Sequence, residues 1–267
     1  TRGKARRMPV TLRNLVISIY AFTYFLVLSF GLTVVGWVMF TLGKKTSRKK
    51  AAYHRMLYSV ARFTMHHFPQ VRTTVENTCG EDFRRPSIIL CNHQSHLDLM
   101  CLLMLTPKLI ILTNDWVWHS PFYGQLIRYA DFYPVTEGLD RTLEHLREAK
   151  RQGYSIAIFP EGTRSPDCSL LRFRRGAFFL AEQLNMDLLP VVLHGTGHVL
   201  PKQDFMLRRG SIHVRVLPRI TPADTRFGTD HIARARQLRQ FYRAEYEALC
   251  RRVETPAYFA DLVLHNY

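Results

Sequence analysis

From Leu15 to Gly43 the chain carries no charged residue, and no other feature restricts the fold as tightly. The run exceeds the roughly 20 residues that one membrane-spanning helix needs, yet it is too short for two full spans. It is too long and too aromatic for a signal-peptide core, and no small-residue cleavage site follows. Arg2, Lys4, Arg6, Arg7 and Arg13 precede it; Lys44, Lys45, Arg48, Lys49 and Lys50 follow it. Positive charge on both flanks leaves the positive-inside rule without a preferred direction. Two arrangements fit: a helical hairpin bent near Gly31 or Gly36 that dips into the inner leaflet, or a single tilted span. Residues 1–50 are thus read as a basic-flanked, membrane-embedded segment.

Residues 51–70 follow as an amphipathic interfacial helix that lies along the membrane surface or packs on the domain after it. Met56, Leu57, Val60, Phe63 and Met65 supply its apolar positions, and Arg55, Arg62 and His66 its polar ones. Residues 71–222 alternate short apolar runs with helical patterns, which predicts an α/β domain with a mixed, largely parallel sheet flanked by helices. Strands are expected at 71–76, 87–90, 109–112, 132–135, 154–159, 188–193 and 211–217. Helices are expected at 97–105, 139–152 and 173–184, with Gly153 closing the second. Residues 223–267 read as a basic helical extension, with one long helix over 232–253.

The formal net charge of +16 implies an anionic partner, whether a phosphate-bearing lipid, a membrane surface or nucleic acid. The uncharged run and the absence of a recognition motif argue against nucleic acid. The five cysteines show no C-x-x-C spacing, so neither a disulfide framework nor a zinc site is expected. A reducing, cytosol-facing compartment follows.

The chemistry concentrates at two strand ends. Asn92 and His93 follow the strand at 87–90. Ser95 and Asp98 then stand three apart before an apolar run, which is the capping-box spacing. Asp98 in that first helical turn can reach back to the His93 imidazole, fix its tautomer and stabilise the imidazolium. Glu161, Gly162, Thr163 and Arg164 follow the strand at 154–159, where an α/β sheet presents ligands. Gly162 admits close backbone approach, and Arg164 offers a planar fork for phosphate. Glu161 either holds Arg164 or accepts from a substrate hydroxyl. Arg172, Arg174 and Arg175 at the next helix start add an anion site. His194 and His198, in the Gly-rich turn after the strand at 188–193, either line the pocket or, as the favoured reading, only pack or face solvent.

The His93-x4-Asp98 pair, the Phe159–Ser165 run and the Leu189–Val192 strand together resemble the 1-acylglycerol-3-phosphate acyltransferase (glycerolipid acyltransferase) family over about residues 70–220. That resemblance implies a glycerol-3-phosphate acyltransferase-like fold with an N-terminal membrane-embedded hairpin. It implies transfer of a fatty acyl group from acyl-CoA or acyl-carrier protein to the hydroxyl of a lysophospholipid. His93 would be the general base, Asp98 its orienting partner, and Glu161, Gly162 and Arg164 the holders of acceptor phosphate and glycerol. It implies no metal or cofactor, and a place on the cytoplasmic face of a bacterial inner membrane. The chain also resembles the acyltransferase part of large bacterial proteins that join an exporter, an acyltransferase and a methyltransferase, which implies fusion to such domains.

One block departs from the family pattern. Where a basic acceptor-binding residue is usual, Tyr129–Gly138 carries Asp131 and Glu137, with Arg128 or Arg141 as substitutes. Two alternatives therefore accompany the main reading: a non-phosphatidate acceptor such as a hydroxyacyl or amino lipid, and a non-catalytic lipid-binding module.

Overall fold

The computed structural model describes residues 12–42, 46–113, 115–120, 124–134, 138–203 and 205–266. The basic residues Arg2, Lys4, Arg6, Arg7, Lys44 and Lys45 lie outside these, as do Gly43, Val135 and Glu137.

Helix α1 (Leu12–Thr41) is followed by α2 (Ser47–His67) and β1 (Val71–Asn77). Then come β2 (Ser87–Cys91), α3 (Leu97–Leu103), β3 (Leu109–Thr113), the short α4 (Asp115–Trp118) and α5 (Gly124–Tyr129), and β4 (Tyr133–Pro134). The second half holds α6 (Leu139–Arg151), β5 (Ser155–Ile158), α7 (Gly176–Leu184), β6 (Asp187–His194), α8 (Thr196–Val199), β7 (Gly210–Val216), α9 (His231–Val253) and α10 (Pro256–Asn266).

The seven strands form one sheet in the order β1-β7-β6-β2-β5-β3-β4. Every pairing is parallel except β6 with β7, as the sequence predicts for a mixed, largely parallel sheet. Alternate side chains of β2 enter opposite layers, because successive strand residues point to opposite faces. Ile89 and Cys91 join α2 and α3 in one core; Ile88 and Leu90 join α6, α7 and α9 in the other.

Helix α9 lies within that second core. Leu238, Tyr242 and Leu249 are fully buried, so this helix is a layer of the α/β domain, whereas its sequence reads as an extension. Its many arginines mask the apolar stripe at helical spacing.

The N-terminus differs from the hairpin bent at glycine. Helix α1 runs unbroken through Gly31 and Gly36 for 30 residues, about 45 Å at the α-helical rise. It ends at Thr41, and α2 packs back along it, with the Tyr53 hydroxyl donating to Leu32 O and Tyr24 meeting Thr64. Gly36 serves close packing: a side chain there would collide with the ring of Tyr129 on α5. The buried residues of α1 are Asn14, Ser18, Ser29 and Gly36, while Phe30 is 71% and Trp37 58% exposed. The buried positions of α1 are thus small or polar, Ile17, Leu32, Met39 and Phe40 pack on the core, and Phe30 and Trp37 face outward. Among the described residues, α1 is the one helix long and apolar enough to cross a membrane.

Candidate active site

The pairing of β2 with β5 builds the site. Leu90 lies opposite Ile158 in that ladder, so His93 and Glu161, each three residues further on, leave the sheet side by side. His93 Nδ1 lies 2.7 Å from Asp98 Oδ2. The same oxygen accepts from the backbone amides of Gln94 (2.6 Å) and Ser95 (2.8 Å). Asp98 therefore closes the carboxylate half of the predicted capping box and also holds the imidazole. It is completely buried, while the His93 side chain keeps 17% exposure. The ring stacks on Phe159 at 4.0 Å between centroids. Among the described residues nothing hydrogen-bonds Nε2. An imidazole held this way can take up a proton through Nε2 and pass it on.

Glu161 commits both carboxylate oxygens to backbone amides. Its Oε1 accepts from the His93 amide at 2.9 Å and its Oε2 from the Leu171 amide at 2.8 Å. Burial pushes its carboxyl up to about 7, against the lowering effect of those two amides. It braces the turn that carries His93 and stands behind the cavity wall. Asn92 and Ser95 are buried and also turn their side chains to backbone partners. Asn92 clamps β2 to β6, donating to Leu193 O (2.9 Å) and accepting from Leu193 N (2.8 Å). The Ser95 hydroxyl donates to Leu200 O at 2.7 Å. Asn92 and Ser95 are short polar side chains in a buried turn, where unpaired backbone groups must find partners.

Gly162, Thr163, Arg164 and Arg174 line one cavity with His93 and His96. Burial holds the His96 ring down to about 4, with Arg164 acting in the same direction. Gly162 takes φ +68°, and a Cβ on it would lie 2.7 Å from Arg174 Nε. The glycine thus lets the guanidinium lie across the loop backbone. Arg172 and Arg175 are exposed and take no part in the lining. Lys202 also lines the cavity. No motif marks it, and only its place in the loop beyond β6 could have pointed there.

The cavity measures about 1140 Å³. Beyond its polar end it is walled by Phe25, Leu28 and Leu32 of α1, Leu57 and Val60 of α2, Met100 and Leu103 of α3, and Leu180 of α7. An imidazole and several cations at one end of a long apolar chamber suit an anionic head group with an alkyl chain.

His194 and His198 lie elsewhere. His194 is fully buried with Nε2 2.8 Å from Glu254 Oε1, and His198 Nδ1 lies 2.7 Å from the Tyr258 hydroxyl. Together they tie α8, the end of α9 and α10 to the carboxyl end of β6.

Residues 62–194 match the family model described as Acyltransferase. The chain belongs to this acyltransferase family. A chloroplastic 1-acyl-sn-glycerol-3-phosphate acyltransferase of Arabidopsis thaliana is 31% identical over 145 residues, which is 52% of this chain and 40% of that protein. The 1-acyl-sn-glycerol-3-phosphate acyltransferase of Saccharomyces cerevisiae is 30% identical over 146 residues, covering 52% of this chain and 48% of the yeast protein. The chain thus spans less than half the length of these relatives. The crystal structure of the 1-acyl-sn-glycerophosphate (LPA) acyltransferase PlsC from Thermotoga maritima superposes with a TM-score of 0.71 at 22% identity. That match covers 91% of this chain and 98% of the other, and it is a likeness of fold.

Proposed function

We propose that the chain is a membrane-bound acyltransferase that moves a fatty acyl group from acyl-CoA or acyl-carrier protein to the free hydroxyl of 1-acylglycerol-3-phosphate. The observation that carries this reading is the His93–Asp98 pair opening on an apolar chamber whose polar end is lined by Arg164, Arg174 and Lys202. The relatives' activity supports it.

In this reading His93 Nε2 takes the proton of the acceptor hydroxyl as the oxygen attacks the thioester carbonyl. Asp98 holds the Nδ1–H tautomer and stabilises the imidazolium. Collapse of the tetrahedral intermediate breaks the carbon–sulfur bond, and the imidazolium returns its proton to the departing thiolate. Protons balance, and the products are the diacyl lipid and a free thiol. The chain's own residues supply the binding, orientation and proton transfer. The outward apolar face of α1 seats the protein in the membrane that stores the acceptor, on the cytoplasmic side of a bacterial inner membrane.

Incubating the purified full chain with an acyl thioester and a panel of acceptors tests this, with products read by mass spectrometry. Phosphatidic acid should form from 1-acylglycerol-3-phosphate at least about tenfold faster than any product from a hydroxyacyl or amino lipid. Product only from the hydroxyacyl or amino lipid would reassign the acceptor, and none from any acceptor would remove the activity.

A further inference from the structure

Three cationic side chains from separate segments reach the polar end of the cavity: Arg164 after β5, Arg174 before α7 and Lys202 after α8. The described part of the block Tyr129–Gly138 turns elsewhere. Asp131 pairs with Lys50 of α2 at 2.5 Å. Neighbouring Arg128 lies over the Trp118 ring and donates to Gln125 Oε1 at 2.8 Å.

We propose that Lys202 is a further specificity-determining residue, binding the acceptor's phosphate together with Arg174 and Arg164 and so favouring a lipid that carries the phosphate over the same lipid without it. This rests on the acyl-transfer reading above.

Lys202 Nζ donates to Arg164 O at 2.6 Å and to Thr163 Oγ1 at 3.2 Å. Both acceptors are neutral, so the charge is placed but not cancelled. An ammonium has three protons, and these bonds use two. Among the described residues no carboxylate forms an ion pair with Lys202 or Arg174. Half-buried Lys202 therefore holds its charge toward the cavity beside a guanidinium that lies across Gly162. A phosphomonoester is nearly a dianion at neutral pH, and it matches such a cluster. A choline or ethanolamine head group would bring a cation into it. The lysine's loop is also anchored to the turn that carries His93, through the Ser95 hydroxyl bond to Leu200 O. Head-group grip and the position of the base are joined by that contact.

The test uses the full chain in detergent and two acceptors that differ only in phosphate: 1-acylglycerol-3-phosphate and monoacylglycerol. Lys202→Ala should raise Kd and KM for the phospholipid about tenfold or more, the loss of a charge-assisted hydrogen bond. Its kcat and its affinity for monoacylglycerol should stay within about threefold, and Lys202→Arg should recover most of the loss. Arg236→Ala removes a charge from an exposed site on α9 and should change neither acceptor. Unchanged Kd for the phospholipid in Lys202→Ala overturns the proposal, as does an equal loss for monoacylglycerol. If the parent chain binds the phospholipid through Lys202 yet transfers no acyl group, the phosphate site stands and the reaction falls. If transfer proceeds with the same KM in Lys202→Ala, the reaction stands and this role for Lys202 falls.

Discussion

Glu161 shows how a residue inside a predicted motif can be committed to backbone groups. Its two oxygens join the His93 turn to the loop at Leu171, so it sets where the imidazole stands. Its carboxyl is raised from an ordinary 4.5 to about 7 by burial. Between those values the folded chain keeps a proton that the unfolded chain has lost, so stability from this group falls as pH rises and levels out above about 7. Glu161→Gln removes that titration and turns an amide N–H₂ toward a backbone N–H. Thermal unfolding from pH 4.5 to 8 should therefore show a flatter pH dependence in the variant. The variant should also lose about 1–3 kcal/mol overall at neutral pH, from a buried donor left facing another donor.

Among the elements, β2 and α9 are held together by one phenol. The Tyr242 hydroxyl donates to Leu90 O at 2.6 Å and accepts from Val191 N at 3.2 Å. Tyr242→Phe leaves both backbone groups in a dry core and should cost about 1–3 kcal/mol in chemical unfolding, with the fold retained. This layer was hard to read from sequence, since the arginines of α9 are as numerous as the apolar residues of its buried stripe. The strands were legible because Ile88–Leu90, Leu109–Leu112 and Leu188–Val192 are unbroken apolar runs, as doubly covered strands should be. The juxtaposition of His93 with Asp98 was legible too, because strand end and helix start fix their spacing. The braces made by Asn92, Ser95 and Glu161 were not, since each depends on a backbone partner supplied by a distant segment. Lys202 was hidden for the same reason: sequence pattern says which loop follows a strand, but not where its side chains arrive.

For the whole molecule, the outward face of α1 and the net charge of +16 act in series. The charge should draw the protein to anionic bilayers, and the apolar helix should keep it there. Cosedimentation with vesicles at rising ionic strength separates the two. Association with anionic vesicles should be faster at low salt, yet bound protein should stay bound at about 0.5 M salt, where surface charges are largely screened. Phe30→Asp with Trp37→Asp, on exposed positions of α1, should make retention salt-sensitive. Retention unaffected by these changes would contradict a role for α1 in anchoring.

The central claim is that the imidazole oriented by Asp98 moves the proton during acyl transfer. Its most direct test is the single-turnover rate of acyl transfer to 1-acylglycerol-3-phosphate in His93→Ala, with Asp98→Asn beside it. The account predicts a loss of about 10²–10⁴ for the histidine variant, the usual contribution of a positioned base, with binding of both substrates retained. A histidine variant that turns over at the parent rate would contradict it.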